Sequence, residues 1–214
     1  MKKEAVIIGA GTYGQVYAEY LKESYDLIGF IDDNKDKHNK TINGLKVLGG
    51  LDYLLKNIAP STKVFVPIGN TEVKLNILKK IRTKGFETPN YIHPSVNMHA
   101  SVKLGSQGVY ILQGTTIMPL TTIEEDVMVS SNTVITHHTH IGSGVFISSG
   151  VTIGASLVIK KNAYIGIGST IMTGVKIIGS DSLIGAGAVI IRDVPDGTTV
   201  VGNPGRIIKR NKDF

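Results

Sequence analysis

Two folds in series, a parallel α/β sheet and then a parallel β-helix, are predicted by three observations. A Gly9-x-Gly11-x-x-Gly14 turn lies between a strand-like and a helix-like stretch. Strand and helix patterns alternate as far as residue 92. From residue 93 helical periodicity disappears and a six-residue aliphatic repeat replaces it. The predicted domains are therefore residues 1–92 and 93–214, lengths that suit two modest units.

Ala5 to Ile8 reads as a buried strand, and the glycine-rich turn follows it. Val16, Tyr17, Tyr20 and Leu21 then recur at helical spacing. Leu27 to Ile31 is a second strand and ends at Asp32-Asp33. Leu51 to Ile58 is a short helix, and Val64 to Ile68 a third strand. Val73, Leu75, Ile77, Leu78 and Ile81 mark another helix, with Gly85 beyond its end. Alternation of this kind produces a parallel sheet with crossover helices.

The repeat is strict. Stepping by six from Ile111 meets Ile117, Ile123, Val129, Ile135, Ile141, Ile147, Ile153, Ile159, Ile165, Ile171, Ile177, Leu183 and Val189. Residues two before these are mostly small or β-branched, such as Thr115, Thr121, Thr133, Thr139, Val145, Ala163, Ser169 and Val175. Glycine often follows, as at Gly142, Gly154 and Gly166. This is the signature of hexapeptide β-helices. Each six-residue unit forms one side of a triangular coil and points one aliphatic inward. The residue two earlier must be small because the prism is narrow. No coil is stable alone, since stacked coils share one core.

Composition agrees. Glycine is abundant at 25 residues, and aromatics are scarce at 6% with no tryptophan. Repeated tight turns around a narrow aliphatic core need that balance. The chain has no cysteine, which excludes disulfides and thiolate chemistry and fits a reducing compartment. Met1-Lys2-Lys3-Glu4 leads into only a short apolar run, unlike a signal peptide. No stretch approaches the ~20 apolar residues of a membrane span. A cytoplasmic protein with no membrane association is expected. Net charge is +6 with a pI near 9.4, which suits anionic partners or simply a solvated surface. No nucleic-acid motif is recognisable, so phosphates of small ligands suffice. Basic residues thicken at Arg206, Lys209, Arg210 and Lys212.

The glycine turn matches the Rossmann-like dinucleotide fingerprint, and Asp32 stands 18 residues past Gly14, where a ribose-binding acid would sit. The glycines allow backbone amides to approach a diphosphate. A nucleotide-sugar, NAD or a purely structural turn are the readings open here. NAD lacks a domain for hydride transfer.

Three of the six histidines fall together, at His137, His138 and His140. The repeat turns Ile135, Thr139 and Ile141 inward, so all three histidines stand at corners or face outward. None is a core histidine. Imidazole titrates near neutrality and suits proton transfer during acyl transfer.

The order of motifs carries a resemblance. The fingerprint turn is followed by Gly29-Phe30-Ile31-Asp32-Asp33-Asn34, Gly44-Leu45-Lys46-Val47-Leu48-Gly49, Ile68-Gly69-Asn70 and Ile92-His93-Pro94, then the hexapeptides. This resembles the sugar O- and N-acyltransferases of the sialic acid O-acetyltransferase type. It is also similar to the UDP-4-amino-sugar and GDP-perosamine N-acetyltransferases. The resemblance covers nearly the whole chain.

It implies a left-handed β-helix, a homotrimer, acetyl-CoA as co-substrate and a nucleotide-linked amino sugar as acceptor. Gly9, Gly11 and Gly14 would line the diphosphate, with Asp32, Asp33 and Asn70 around the nucleoside. The closing stretch from Val201 to Arg206 would place Gly202, Asn203, Pro204, Arg206 and Lys209 near CoA. His137 holds the place of the general base, with His138 in an accessory catalytic role. A backbone amide of a facing coil would hold the oxyanion.

Four positions depart from the pattern. His138 replaces the Asp or Glu that orients the base, and Phe146 replaces a second histidine. Tyr13 replaces the histidine of the glycine turn, and Gly154-Ala155-Ser156 replaces Ala-Gly-Asn. Sugar O-acetylation is the close alternative activity. A trimeric nucleotide-sugar-binding protein without catalysis is the non-enzymatic one. Zinc held by His137 and His140 across a trimer, as in γ-class carbonic anhydrases, is disfavoured, because that family lacks the α/β domain. No metal is expected.

Overall fold

The structure, a computed structural model, describes residues 2–210. It divides into two compact units, 1–89 and 90–214. The division falls three residues before the expected one. The reason is that Tyr91–Ile92 already pairs in parallel with Tyr110–Ile111, so these residues belong to the first coil of the second unit.

In the first unit, strands β1 (Lys3–Ile8), β2 (Tyr25–Ile31), β3 (Thr41–Ile42), β4 (Leu45–Gly49) and β5 (Lys63–Phe65) form one sheet. Its order is β3-β4-β2-β1-β5. All neighbours are parallel except the β3–β4 hairpin. Helix α1 (Thr12–Leu21) connects β1 to β2, α2 (Leu51–Asn57) connects β4 to β5, and α3 (Thr71–Arg82) follows β5. Val6, Ile8, Ile31, Leu54, Val64, Leu78 and Ile81 form the core between sheet and helices. The hairpin is an element that periodicity did not reveal. Asn43 and Gly44 turn it with φ of 47° and 76°, the paired left-handed angles that make Asn-Gly the strongest short hairpin signal. β5 ends at Phe65 rather than Ile68, because Pro67 has no N–H for a ladder.

In the second unit, two-residue strands stack into three parallel sheets, the faces of a left-handed β-helix. Thr116–Ile117, Val134–Ile135 and Thr152–Ile153 succeed one another on one face. Thr122–Ile123, His140–Ile141 and Val158–Ile159 do so on the next. The expected inward residues are buried from Ile111 to Ile171. So are Thr115, Thr121, Thr133 and Thr139 beside them, whose hydroxyls bond main-chain carbonyls.

Beyond Ile171 the expected series is wrong. Ile178, Ile184 and Ile190 are the inward residues, while Ile177 and Leu183 are 38% and 41% exposed and Val189 also faces outward. Ile159 pairs with Ile178, so one extra residue lies in the coil between Ile171 and Ile178. Gly174, at φ 107°, sits in the loop that absorbs it. Ile177 and Ile178 are both aliphatic, so the six-residue count passes over the slip unnoticed. No helix among the described residues is long and apolar enough to cross a membrane.

Candidate active site

The first unit gathers its predicted residues at the carboxyl ends of β1, β2 and β5, where open α/β sheets bind ligands. A Cβ on Gly14 would lie 1.8 Å from the Gly9 carbonyl oxygen, so only glycine lets α1 start this close to the turn. Gly11 differs, since a Cβ there would meet nothing within 4 Å. Its φ of −82° is open to any residue. The fold demands Gly14, whereas at Gly11 it leaves open space over the backbone.

Asp32 staples this turn. Its carboxylate accepts from Ala10 N–H at 2.9 Å, Asn34 N–H at 3.0 Å and Lys37 Nζ at 2.8 Å. Burial pushes its pKa up, but the Lys37 ammonium and the two amides outweigh that and hold it below the ordinary carboxylate value. Stability from such a group is present above the ordinary value and lost as pH falls through the lowered one. The melting-temperature gap between wild type and Asp32→Asn is therefore expected to shrink between about pH 7 and about pH 3. A gap unchanged across that range would show that the ionised carboxylate contributes nothing.

Asp33 and Asn70 hold helix starts. Asp33 Oδ1 accepts from Leu51 N–H at 2.7 Å at the start of α2. Asn70 Oδ1 accepts from Val73 N–H at 3.0 Å at the start of α3. Ile68, two residues before Asn70, would meet a Cβ on Gly9 at 3.5 Å, so this segment borders the turn. Tyr13 is 38% exposed on the first turn of α1.

The second unit carries the histidines on one prism edge. His137 and His138 form the corner between the strands Val134–Ile135 and His140–Ile141, and both are exposed. The corner is bonded on both sides. His138 N–H donates to the Pro119 carbonyl at 3.2 Å, and Ser156 N–H donates to the His137 carbonyl at 3.0 Å. The two imidazoles meet through their Nδ1 atoms at 3.0 Å. Ala155, at the corner on the next coil, donates its N–H to Thr173 Oγ1 at 3.2 Å. Phe146 is 2% exposed and stacks on Tyr164 with ring centroids 5.1 Å apart.

His140 is not part of that corner pair. Its Nε2 lies 2.8 Å from Glu124 Oε1, and Ser143 N–H donates to Glu124 Oε2 at 2.8 Å. Glu124 is a carboxylate that periodicity did not single out, although residues one coil apart stack on the same face. Among the described residues no group of three or more His, Asp or Glu could hold a metal ion.

The closing stretch makes the turn between the antiparallel strands Thr198–Val201 and Arg206–Arg210. Gly205 N–H donates to the Val189 carbonyl, and Val189 N–H to the Gly202 carbonyl, which fixes the turn on the last coil. Asn203, Pro204, Arg206 and Lys209 are exposed there. Lys212 lies outside the described residues. Val189–Ile190 is three strands along the sheet from Val134–Ile135, or about 14 Å at the ~4.8 Å strand spacing.

Comparison with known proteins identifies both halves. The PglD N-terminal domain model matches residues 4–81. The bacterial transferase hexapeptide model, of six repeats, matches residues 120–155. The acetyltransferase domain of PglB from Neisseria gonorrhoeae, solved with acetyl coenzyme A, is similar at 27% identity and a TM-score of 0.87. That match covers 97% of this chain and 100% of that one. PerB from Caulobacter crescentus, solved with CoA and GDP-perosamine, is similar at 27% identity and a TM-score of 0.88, with 98% of each chain covered. Serine acetyltransferase from Bacillus subtilis is 56% identical over 34 residues, which is 16% of this chain and 16% of that enzyme's length. Fold and site thus define a hexapeptide-repeat acyltransferase. The chain carries a PglD-type domain and bacterial transferase hexapeptide repeats, and over nearly its whole length it is similar to acetyltransferases.

Proposed function

We propose that the protein transfers the acetyl group of acetyl-CoA to the amine of a nucleotide-linked amino sugar, with His137 as general base. The observation that carries this reading is the place of His137. It stands exposed on an outward corner that two backbone bonds fix, three coils from the closing turn. An extended pantetheine arm covers that span. Its thioester would lie at the histidine corner, and its phosphates near Arg206 and Lys209 beside Gly202, Asn203 and Pro204.

The acceptor nitrogen attacks the thioester carbonyl carbon while His137 takes a proton from it. The C–S bond then breaks, and the thiolate leaves with the proton carried by the imidazolium. In this reading Gly9, Gly11 and Gly14 accommodate the diphosphate of the acceptor, Gly11 through its open backbone. Asp32, Asp33 and Asn70 shape the nucleoside side, by holding the turn and two helix starts. A homotrimer is part of the proposal. Exposed Leu120 and Met172 lie on the histidine edge, and exposed Val158 and Ile177 on the adjoining face. Burying these aliphatics against a second copy would enclose the base. Use of acetyl-CoA, an intracellular metabolite, supports a cytoplasmic enzyme.

Thiol release from acetyl-CoA is the test, with UDP-, GDP- and dTDP-linked amino sugars as acceptors. Turnover with at least one is expected, with an N-acetyl product by mass. Tight binding of a nucleotide-sugar with no turnover of any would favour the non-catalytic binding protein instead.

A further inference from the structure

The Nδ1 atoms of His137 and His138 lie 3.0 Å apart, with the rings edge-to-face at 90°. Two lone pairs at that distance repel. A bond forms only if one nitrogen carries a hydrogen and the other offers a lone pair. We propose that His138 is a neutral positioning residue that accepts the Nδ1–H of His137 and so keeps the His137 Nε2 lone pair available as the base. This rests on the reading of His137 as base. An imidazole then does the orienting work that a carboxylate does in the related pattern.

The backbone supports it. His138 has a φ of 57°, the left-handed corner conformation. On the other two edges that corner position holds residues that adopt it readily, such as Asp126, Gly144 and Asn162, or Asn132, Gly150 and Gly168. The histidine edge instead carries Leu120, His138 and Ser156 there. A bulky side chain such as Leu120 costs free energy in that conformation, which histidine tolerates, and strained positions of this kind cluster at functional sites. The bonds from His138 N–H to Pro119 and from Ser156 N–H to His137 then hold both rings in register.

The surroundings offer the pair no other ionisable partner. The corners stacked on either side, Pro119-Leu120 and Ala155-Ser156, carry no titratable side chain. Within the coil His140 is engaged with Glu124. A proton added to the pair, on whichever ring, removes either the acceptor or the base.

Histidine-selective nitrogen-15 NMR of the ligand-free protein tests the tautomer without any substrate. Wild type is expected to show His137 as the Nδ1–H form. His138→Gly keeps the corner conformation but removes the acceptor, and should return His137 to the Nε2–H form that dominates in water. Its turnover should fall about tenfold at unchanged KM for acetyl-CoA, part of the ~100- to 10,000-fold a positioned base contributes. His138→Asn tolerates the corner and offers an amide oxygen, so tautomer and most turnover should return. His138→Asp should move the acid limb of kcat/KM upward by about half a pH unit or more, because a carboxylate favours the imidazolium of His137. The proposal is overturned if His137 is already Nε2–H in wild type. It is equally overturned if His138→Gly leaves both tautomer and pH profile unchanged. If the tautomer behaves as expected but no amino sugar turns over, the dyad stands and the acetyltransferase reading falls.

Discussion

Replacing His137 with alanine is expected to lower turnover by about two orders of magnitude or more, or ~2.7 kcal/mol of transition-state stabilisation. An amine attacking a thioester must lose a proton as the new bond forms, and no other side chain at this corner is placed to take it. His138 engages His137 through its own Nδ1, and His140 is turned to Glu124. The substitution should leave the corner intact, because the bonds that hold it use the main chain of His137, His138, Pro119 and Ser156. CoA affinity by calorimetry should therefore match wild type while kcat collapses. Turnover within a few-fold of wild type would remove His137 from the role of base.

The second large effect concerns the β-helix register. Ile184→Ala is expected to destabilise the protein by about 2–5 kcal/mol, since it empties a site in a fully buried aliphatic stack. Leu183→Ala, one residue away and 41% exposed, is expected to cost about 0.5 kcal/mol or less. Chemical denaturation of both variants at one protein concentration decides the matter. A larger loss for Leu183 would mean that the strict six-residue count, and not the slipped register, describes the last coils.

That pair of residues also shows where sequence reading stops. The repeat predicts the β-helix because inward aliphatics stacked on one another leave a period that no other fold sustains. It fails beyond Ile171 because Ile177-Ile178 and Leu183-Ile184 offer an aliphatic in either register. Only the ladder from Val158–Ile159 to Ile177–Ile178 shows which one faces in. In the first unit the fingerprint turn was legible, and so was the helix on either side of Leu78. The β3–β4 hairpin was missed, although Asn43-Gly44 announces it, because its strands are too short to establish alternation.

The candidate site divides in the same way. Local sequence, through corner position alone, put His137 and His138 on the outside of the prism. The acyltransferase family was legible in the order of motifs. Asp32 was legible as an acid at the right spacing, but its bonds to Ala10 and Lys37 depend on how loops from separate strands meet. The pairing of His140 with Glu124 needed residues far apart in sequence to stack one coil above another. The contact between the two Nδ1 atoms needed something further, a left-handed corner held by the coils on either side. Periodicity is a property of one chain direction and survives in the sequence. Hydrogen bonds between coils depend on register, and register is decided only when the coils close.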